Sequence, residues 1–397
     1  MRDAFKCDSD AACLEVRSSR LASAVPHAPT AAGAAPAARA SDVPARGIVP
    51  IVIRFGRLGD MVMLTSLLHL LQQRYGNPCE VFAAGPWNAP LYAEHPDVVR
   101  LWTLGRHTPS GLGPSWWRAW WQLRRSGNRP VYVCEYRPRQ LRRIRRLLHL
   151  AGVARARCLF ITQDLSDVQS HWVDRLARFG ARTPSALAHT AAVAQVPQAA
   201  PAPAPRLFVC AAELETSRVW LAQQGWENRE LILIQPGNFR TMSAHRERYR
   251  HNDDKAWPLE AWVSLMRRLA AARPEAVQLL CGAPAEAPLL AQIVRAAQLP
   301  RAGVAALPLR PFLALCRLAH SMISIDTGPA HAAAALGVPL TVMYGAEAPQ
   351  QWLPRSPTGS AVLAVGGPPR NRVAQITVAE VFQSWQAVVA GPAPSWM

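Results

Sequence analysis

The chain has 397 residues, half of them hydrophobic, and its 44 Lys and Arg against 26 Asp and Glu give a formal net charge of +18. This length exceeds one typical domain and suits two α/β domains with extensions. No uninterrupted apolar run reaches the roughly 18 residues of a membrane span, which argues against an integral membrane protein. Because almost all of the positive charge is arginine, we expect an anionic partner: nucleic acid, an anionic membrane surface or a phosphorylated glycan.

The first 46 residues are rich in Ala, Pro and Ser and predict a disordered leader outside the fold. They begin with acidic residues and cysteines, so a secretory signal is not apparent and we expect a cytoplasmic protein. The eight cysteines include no C-x-x-C pair and fit neither a disulfide scaffold nor a zinc site. The only D-x-D triplet, Asp8-Ser9-Asp10, lies in this leader, so no metal-binding catalytic motif is evident.

Residues 47–226 predict a first α/β domain. A strand-like apolar run at 48–53 is followed by a glycine-containing turn and by helical periodicity from Met61 to Tyr75. Further strands are expected at 80–83 and 131–134, and helices near 116–125, 141–151, 171–179 and 213–224. The segment 194–206 is an extended connection, because each of its prolines removes an amide donor.

Residues 227–376 predict a second domain with a cleaner alternation of strands and helices. The strands are expected at 231–235, 276–281, 303–307, 321–325 and 339–344, and the helices at 259–272, 287–298, 311–320 and 329–336. Such alternation is typical of a parallel doubly wound sheet, which binds ligands beyond the carboxyl ends of its strands. Residues 377–397 predict a C-terminal helix and tail that could pack back on the first domain.

One candidate ligand site is the segment Asp326-Thr327-Gly328-Pro329-Ala330-His331, which ends a predicted strand and begins a helix. Proline suits an early helical position, and the free amides and positive dipole end of the helix form a phosphate site. His331 lies one turn inside the helix, within reach of the same ligand. Alternatively, Asp326 or Thr327 only caps the helix and His331 is a structural residue.

Two more loops follow strands of the second domain. Lys255 comes just before a helix, where a flexible ammonium can reach a diphosphate. Glu286 lies in the loop Gly282-Ala283-Pro284-Ala285-Glu286 and could accept hydrogen bonds from ribose hydroxyls. Lys255 could equally be a solvated lysine, and Glu286 an acid that complements a helix dipole.

In the first domain, Arg54-Phe55-Gly56-Arg57-Leu58-Gly59-Asp60 links the first strand to the first helix. This loop is not G-x-G-x-x-G, so it gives little support to a nicotinamide or flavin cofactor. Asp60 is either an N-terminal helix cap or a carboxylate that faces an interdomain cleft, where a general base would stand.

Taken in order, these loops resemble the heptosyltransferases. The resemblance spans residues 48–390 and rests on Arg-Phe-Gly-Arg-Leu-Gly-Asp-Met (54–61), Pro-Gly-Asn (236–238), Asp-Asp-Lys-Ala-Trp-Pro (253–258), Gly-Ala-Pro-Ala-Glu (282–286), Asp-Thr-Gly-Pro-Ala-His (326–331) and Met-Tyr-Gly (343–345). That family comprises inverting glycosyltransferases of the GT-B fold, two Rossmann-like domains facing a cleft, which extend the lipopolysaccharide core from ADP-heptose. The order of several motifs makes the resemblance specific.

The resemblance implies a role for each candidate residue. Asp60 would be the general base that deprotonates the acceptor hydroxyl, and Lys255 would neutralise the diphosphate leaving group. Glu286 would hold the donor ribose, while the sugar diphosphate would be lined by Asp326, Thr327, Gly328 and His331. The nucleotide sugar, ADP-heptose in the first instance, would be a substrate, and neither a cofactor nor a metal is implied.

Two departures from the family pattern concern substrate identity. The loop between Gly237 and Asp253 is long and basic, with Arg240, Arg246, Arg248, Arg250 and His251 where small hydroxyl residues are common. In the first domain, Gly56 and Arg57 replace serines, and Arg57 is a candidate for binding anionic groups of the acceptor. The donor could therefore be another nucleotide sugar, and the acceptor could differ from the lipopolysaccharide core.

A basic amphipathic helix is predicted near residues 137–149, with arginines at 142, 143, 145 and 146 between apolar positions. Upstream, Trp116, Trp117, Trp120 and Trp121 form an aromatic stripe that is either core or interface. Arg142, Arg143, Arg145 and Arg146 could bind an anionic, lipid-linked glycan acceptor and bring the enzyme to the inner face of the inner membrane, or they could form a solubilising surface.

Two readings from other classes compete with an enzyme. The charge and the arginine-rich helix would suit a nucleic-acid-binding protein, but the sequence contains no zinc-finger spacing, RNA-recognition signature or convincing helix-turn-helix, so we expect no nucleic-acid partner. A non-catalytic scaffold would retain the fold, but the presence of Asp60, Lys255 and His331 argues against it.

Overall fold

The computed structural model describes residues 48–105, 113–164, 169–188, 202–238 and 253–390. The expected leader (1–46), the end of the tail (391–397) and the basic loop residues 239–252 lie outside the described residues. We call residues 48–188 the first half and residues 202–390 the second half.

The first half is built on a five-stranded parallel sheet in the order β3-β2-β1-β4-β5. Its strands are β1 (Ile51–Arg54), β2 (Cys79–Ala84), β3 (Val98–Leu104), β4 (Val131–Val133) and β5 (Cys158–Phe160). The central strand β1 is buried on both faces and pairs in parallel with β2 and β4. This burial explains its continuous apolar sequence, which is typical of parallel sheets covered on both sides.

Helices cover both faces of this sheet. They are α1 (Leu58–Tyr75), the short α2 (Asn88–Leu91), α3 (Pro114–Arg124), α4 (Pro138–Leu150) and α5 (Trp172–Ala181). Val52 packs in one core with residues of α1 and α5, whereas Ile51 and Ile53 pack in another with α3 and α4. Successive residues of a strand point to opposite faces, so the short apolar run of β1 serves both layers.

The second half is built on a six-stranded parallel sheet in the order β11-β10-β9-β6-β7-β8. Its strands are β6 (Leu231–Gln235), β7 (Val277–Gly282), β8 (Ala302–Ala306), β9 (Ser321–Ile325), β10 (Leu340–Tyr344) and β11 (Val362–Gly366). Its helices are α6 (Ala211–Gln223), α7 (Leu259–Ala272), α8 (Ala287–Ala297), α9 (Leu309–Leu318), α10 (Gly328–Ala335), α11 (Pro349–Trp352) and α12 (Val378–Val389). Two parallel sheets covered by helices confirm the predicted α/β class.

Two features differ from the sequence-based expectations. Helix α6, which precedes the boundary expected near residue 226, packs against α9 of the second half. The C-terminal helix α12 packs on α7, β10 and β11, not back on the first domain as the sequence suggested. The reason is its apolar face, because Val381, Trp385 and Val388 are buried in the core of the second sheet.

This placement of α12 makes a testable prediction. Trp385 is 1% exposed, and its indole N–H donates to the Ser321 hydroxyl at the start of β9 at 2.9 Å. We expect Trp385→Ala to lower the free energy of unfolding by about 3–5 kcal/mol, since it leaves a large cavity. Urea denaturation followed by circular dichroism measures this. Trp121→Ala, at a position 48% exposed, is the control and should cost about 0.5 kcal/mol or less.

Candidate active site

The two halves meet where two helices begin. Helix α1 follows β1 of the first sheet and α10 follows β9 of the second, and their first turns contact each other through two glycines. A Cβ atom on Gly59 would lie 3.0 Å from the ring of His331, and one on Gly328 would lie 3.0 Å from the backbone nitrogen of Gly59. Any side chain at these positions would therefore push the two helix N-termini apart.

Asp60 lies in the first turn of α1, beside this contact. One carboxylate oxygen accepts a hydrogen bond from the Arg54 guanidinium at 2.9 Å, and the other accepts one from the backbone N–H of Arg57 at 2.8 Å. The second bond is a capping interaction, so Asp60 does help to cap α1, which is one of the two alternatives that the sequence offered. The side chain is 12% exposed, and its carboxylate is fixed through both oxygens.

The charge of Asp60 is set by opposing effects. Burial raises the pKa of the carboxyl, but the Arg54 charge, the Arg57 amide and the nearby Arg137 charge together bring the pKa below its usual range. Asp60 is therefore an anion at neutral pH, as a general base must be before it accepts a proton.

Arg54 is itself buried, with 2% of its side chain exposed, at the carboxyl end of β1. It also donates to the backbone carbonyl of Cys134 at 2.8 Å and lies 3.5 Å from a carboxylate oxygen of Glu135 at the end of β4. Burial alone would lower the pKa of Arg54, but Asp60 and Glu135 raise it above its usual value. The site thus contains a buried cation between two carboxylates.

His331 lies on α10, directly across the contact from Gly59. It is 6% exposed. Burial lowers the pKa of the imidazole, and this outweighs the opposing effect of the Asp326 and Asp60 carboxylates. At neutral pH the ring is therefore uncharged and has one donor and one acceptor nitrogen.

Lys255 and Asp326 form an ion pair at the same helix N-terminus. The Lys255 ammonium lies 2.5 Å from a carboxylate oxygen of Asp326 and donates to the Asp326 backbone carbonyl at 3.0 Å. Both side chains are mostly buried, 25% and 13% exposed. The Thr327 hydroxyl donates back to the Ile325 carbonyl at 3.2 Å and makes no side-chain capping bond to α10. The capping alternative for Asp326 and Thr327 is therefore not the arrangement found here.

The backbone that carries Lys255 is held in place by buried groups. The Asn238 amide donates to the Asp253 carboxylate at 2.9 Å, and the same carboxylate accepts the Lys255 backbone N–H at 3.1 Å. The Asp254 carbonyl accepts the N–H of Val373 at 2.7 Å. Lys255 is consequently an anchored side chain rather than one more solvated lysine.

Glu286 is placed differently from the other candidates. It lies beyond the carboxyl end of β7, but it is 3% exposed and one of its oxygens accepts the backbone N–H of Ala283 at 2.9 Å. The carboxylate therefore caps its own turn, which is the alternative that the sequence left open.

The four arginines of α4 are not brought together with Asp60. Its apolar residues, such as Ile144, are buried against the first sheet, whereas Arg142, Arg145 and Arg146 are exposed and Arg143 is partly exposed. The cations that act on Asp60 are instead Arg54 and Arg137. Arg57, three residues before Asp60 in the sequence, is exposed.

Sequence reasoning missed Arg54, Glu135 and Arg137. Arg54 and Glu135 are 81 positions apart and meet only because β1 and β4 are neighbours in the sheet. The sequence did contain a signal for Arg54 and Glu135. Each lies at or just after the end of an apolar strand, where a buried charge without a partner would be costly.

A known family of enzymes matches part of this chain. Residues 185–378 match the model of glycosyltransferase family 9 (heptosyltransferase). No curated protein matches the chain.

Solved structures share the fold across both halves. The Escherichia coli ADP-heptose LPS heptosyltransferase II is 20% identical with a TM-score of 0.64, and the alignment covers 86% of this chain and 99% of that one. A family 9 glycosyltransferase from Veillonella parvula is 14% identical with a TM-score of 0.66, covering 86% and 97%. The E. coli heptosyltransferase WaaC with ADP is 17% identical with a TM-score of 0.58, covering 86% and 99%.

These likenesses give the chain a GT-B-like architecture, with two parallel α/β sheets. The matched segment contains α10, Lys255, Asp326 and His331, that is, the second-half side of the site described above. Residues 185–378 are thus the part of the chain that is similar to glycosyltransferase family 9 (heptosyltransferase).

Proposed function

We propose that this protein is an inverting glycosyltransferase that transfers a sugar, heptose from ADP-heptose, to a lipopolysaccharide-core or related bacterial glycan acceptor. The observation that carries the proposal is the contact between the N-termini of α1 and α10. It brings an ionised carboxylate, Asp60, next to a helix N-terminus that bears His331 and that the ammonium of Lys255 reaches through Asp326. A base and an anion site are the two groups that glycosyl transfer from a nucleotide sugar needs.

The donor diphosphate would bind at the first turn of α10. The backbone N–H groups of Thr327 and Gly328 and the positive end of the helix dipole favour an anion there. The neutral imidazole of His331 can donate one further hydrogen bond. Lys255 is held at the same turn by Asp326, which directs the ammonium without being a phosphate ligand itself. Glu286, beyond the carboxyl end of β7, is the proposed partner of the donor ribose, and one oxygen of its carboxylate also caps its own turn.

In the proposed reaction, Asp60 accepts the proton of the acceptor hydroxyl, and the oxygen forms a bond to the anomeric carbon from the side opposite the diphosphate. The bond between this carbon and the diphosphate oxygen breaks, and the electron pair stays on the departing nucleoside diphosphate. Lys255 and the amides of α10 stabilise the charge that develops there, so the transfer is proposed not to require a metal. Arg57 and Arg137 lie on the Asp60 side, where they suit anionic groups of the acceptor.

The choice of donor has support from a relative. WaaC has been solved with ADP and with ADP-2-deoxy-2-fluoro heptose, which makes ADP-heptose the first donor to test. A different nucleotide sugar is the alternative, because the basic residues 239–252 depart from the family pattern.

The donor assignment predicts a selective thermal shift. Among ADP-, GDP- and UDP-sugars, ADP-heptose should raise the melting temperature most, since a ligand at 100 times its Kd stabilises by about 2.7 kcal/mol. Lys255→Ala should reduce this shift, and Arg229→Ala, which breaks the exposed pair with Glu275, should not. A larger shift with a GDP- or UDP-sugar would reject ADP-heptose, and an unchanged shift in Lys255→Ala would reject the diphosphate contact.

The base assignment predicts that Asp60→Asn folds and binds donor with unchanged affinity but transfers sugar about 10² to 10⁴ times more slowly. A matched control is Glu213→Gln, because Glu213 also caps its helix and pairs with an arginine, Arg310, but on α6. Product formation is measured for both variants and the wild type in excess EDTA. The loss in Asp60→Asn tests the base, and activity of the wild type tests the independence from metal. Wild-type turnover in Asp60→Asn would remove Asp60 from the mechanism.

We also propose that the enzyme works in the cytoplasm in peripheral contact with the inner membrane. None of the helices in the described ranges is long and apolar enough to span a bilayer. On α3, however, Trp117 and Trp121 are 57% and 48% exposed, and Leu150 at the end of α4 is 68% exposed. The Trp120 indole, between the two, donates to the Leu150 carbonyl at 3.0 Å, so these apolar groups adjoin. Together with the outward arginines of α4 they suit an anionic lipid surface.

Vesicle co-sedimentation tests this contact. We expect binding to vesicles containing anionic lipid at low salt, and weaker binding to zwitterionic ones. Each removed cation should cost about 1 kcal/mol. Replacing the four arginines at 142, 143, 145 and 146 by Gln should therefore abolish sedimentation, whereas the same change at 267, 268, 295 and 301 on the second half should not. Equal loss in both variants would indicate non-specific charge attraction and reject an α4 membrane surface.

A further inference from the structure

The buried cation beside Asp60 makes more contacts than a simple ion pair requires. Arg54 donates to Asp60 and to the Cys134 carbonyl through different nitrogens of its guanidinium, and it lies 4.7 Å from the ring centre of Tyr136 and 5.6 Å from that of Trp172. Hydrogen-bond acceptors hold its edge and aromatic rings lie within cation–π distance of its charge. The guanidinium can therefore hardly move.

The second carboxylate, Glu135, holds Arg54 independently of Asp60. Glu135 is fully buried and accepts the backbone N–H groups of Phe55, Tyr136 and Arg137 at 3.3, 3.1 and 2.9 Å. Backbone amides fix its position, so Glu135 provides a stationary negative charge 3.5 Å from the guanidinium. Arg54 is thus oriented by groups other than the carboxylate that it contacts in the proposed active site.

The second half of the molecule contributes to the same arrangement through Trp172. The ring of Trp352, at the end of α11, is stacked on Trp172, with ring centres 5.9 Å apart and planes 26° from parallel. Beside this stack, Arg355 forms two hydrogen bonds to Asp174, at 2.6 and 2.7 Å. The N-terminus of α5 is therefore docked on residues 349–355.

His171 completes this junction as a neutral ring. Burial and the Arg355 charge lower its pKa to about 4. One ring nitrogen accepts the Val173 backbone N–H, so the other carries the proton and donates to the Leu353 carbonyl at 2.8 Å. The contact between α5 and the second half consequently does not depend on protonation near neutral pH.

We propose that Arg54 is a positioning residue for the catalytic carboxylate of Asp60, and that Trp352 of the second half supports this position through Trp172. The inference rests on the proposed function, because it concerns Asp60 as the base. The orientation of Asp60, in the first half, therefore depends on Trp352, a side chain of the half that carries the proposed donor site.

Arg54 also affects how readily Asp60 accepts a proton. The charged groups facing Asp60 are Arg54 on β1 and Arg137 at the start of α4, and the titratable ring of His331 on α10, neutral at pH 7, lies across the junction. With Arg54 in place, the pKa of Asp60 lies below its usual value, and kcat/KM should fall only in strong acid. Removing the Arg54 cation leaves burial opposed only by the Arg57 amide and the Arg137 charge, so the pKa of Asp60 should rise and the acid limb of the profile should move to higher pH.

The first test preserves the charge and removes the planar fork. Arg54→Lys cannot donate to Asp60 and to the Cys134 carbonyl in the same geometry, and we expect kcat to fall about 10- to 100-fold with unchanged donor affinity. The matched control is Arg74→Lys. Arg74 is equally buried and donates to the Arg182 carbonyl and Thr183 hydroxyl, away from the site. Equal loss of kcat in both variants, or none in Arg54→Lys, overturns the inference.

The second test removes the charge without leaving Glu135 unpaired. In the double variant Arg54→Gln/Glu135→Gln, the acid limb of kcat/KM should move up by about one pH unit or more, measured between about pH 4 and 8. An unmoved acid limb overturns the role of Arg54. A merely structural arginine would change stability and leave the limb in place.

The third test does not alter the buried charges. Trp352→Ala should lower kcat and shift the acid limb in the same direction as the double variant, and Trp352→Phe should restore most of both. Normal kcat and pH dependence in Trp352→Ala would overturn the contribution of the second half. If Asp60→Asn retains wild-type turnover, the proposed role of Asp60 as the base fails; if it is inactive while the Arg54 and Trp352 variants behave as wild type, only this inference fails.

Discussion

The site depends on how closely two helix N-termini approach each other. Gly59 and Gly328 leave no room for a Cβ atom between α1 and α10, so the carboxyl edges of two separate sheets meet at one point. In a parallel sheet every strand delivers its following loop to the same edge, so each half presents a full set of loops there. One glycine contact therefore brings together residues from two domains.

The electrostatics of the junction divide between the halves. The first half supplies an anion, Asp60, whose charge is kept by the buried guanidinium of Arg54. The second half supplies a helix N-terminus with an anchored ammonium, Lys255, and an uncharged imidazole, His331. Asp60 and Lys255 carry opposite charges, but each forms an ion pair within its own half, Asp60 with Arg54 and Lys255 with Asp326. The site therefore keeps both charges without a direct ion pair between the two halves.

The sequence predicted most of the fold because its buried strands are short apolar runs with helical periodicity between them. It missed β3, β5 and β11, which are partly exposed outer strands of their sheets. Polar residues interrupt β3, β5 has only three residues, and β11 ends in a glycine. In the site, the order of the motifs made Asp60, Lys255 and His331 candidates, and these residues lie around the contact between α1 and α10. Arg54 and Glu135 were not predicted, because their contact depends on strand order, which a single sequence does not show.

The ion pair between Lys255 and Asp326 has a consequence for ligand selection. The Lys255 ammonium lies 2.5 Å from a carboxylate oxygen of Asp326, so an anion that binds Lys255 gains only the difference between its own attraction and that of this carboxylate. A singly charged group offers little advantage in this exchange, whereas a diphosphate, with more charge and more acceptor oxygens, offers a larger one. If the proposed donor site is correct, the pair would therefore favour multiply charged anions over singly charged ones.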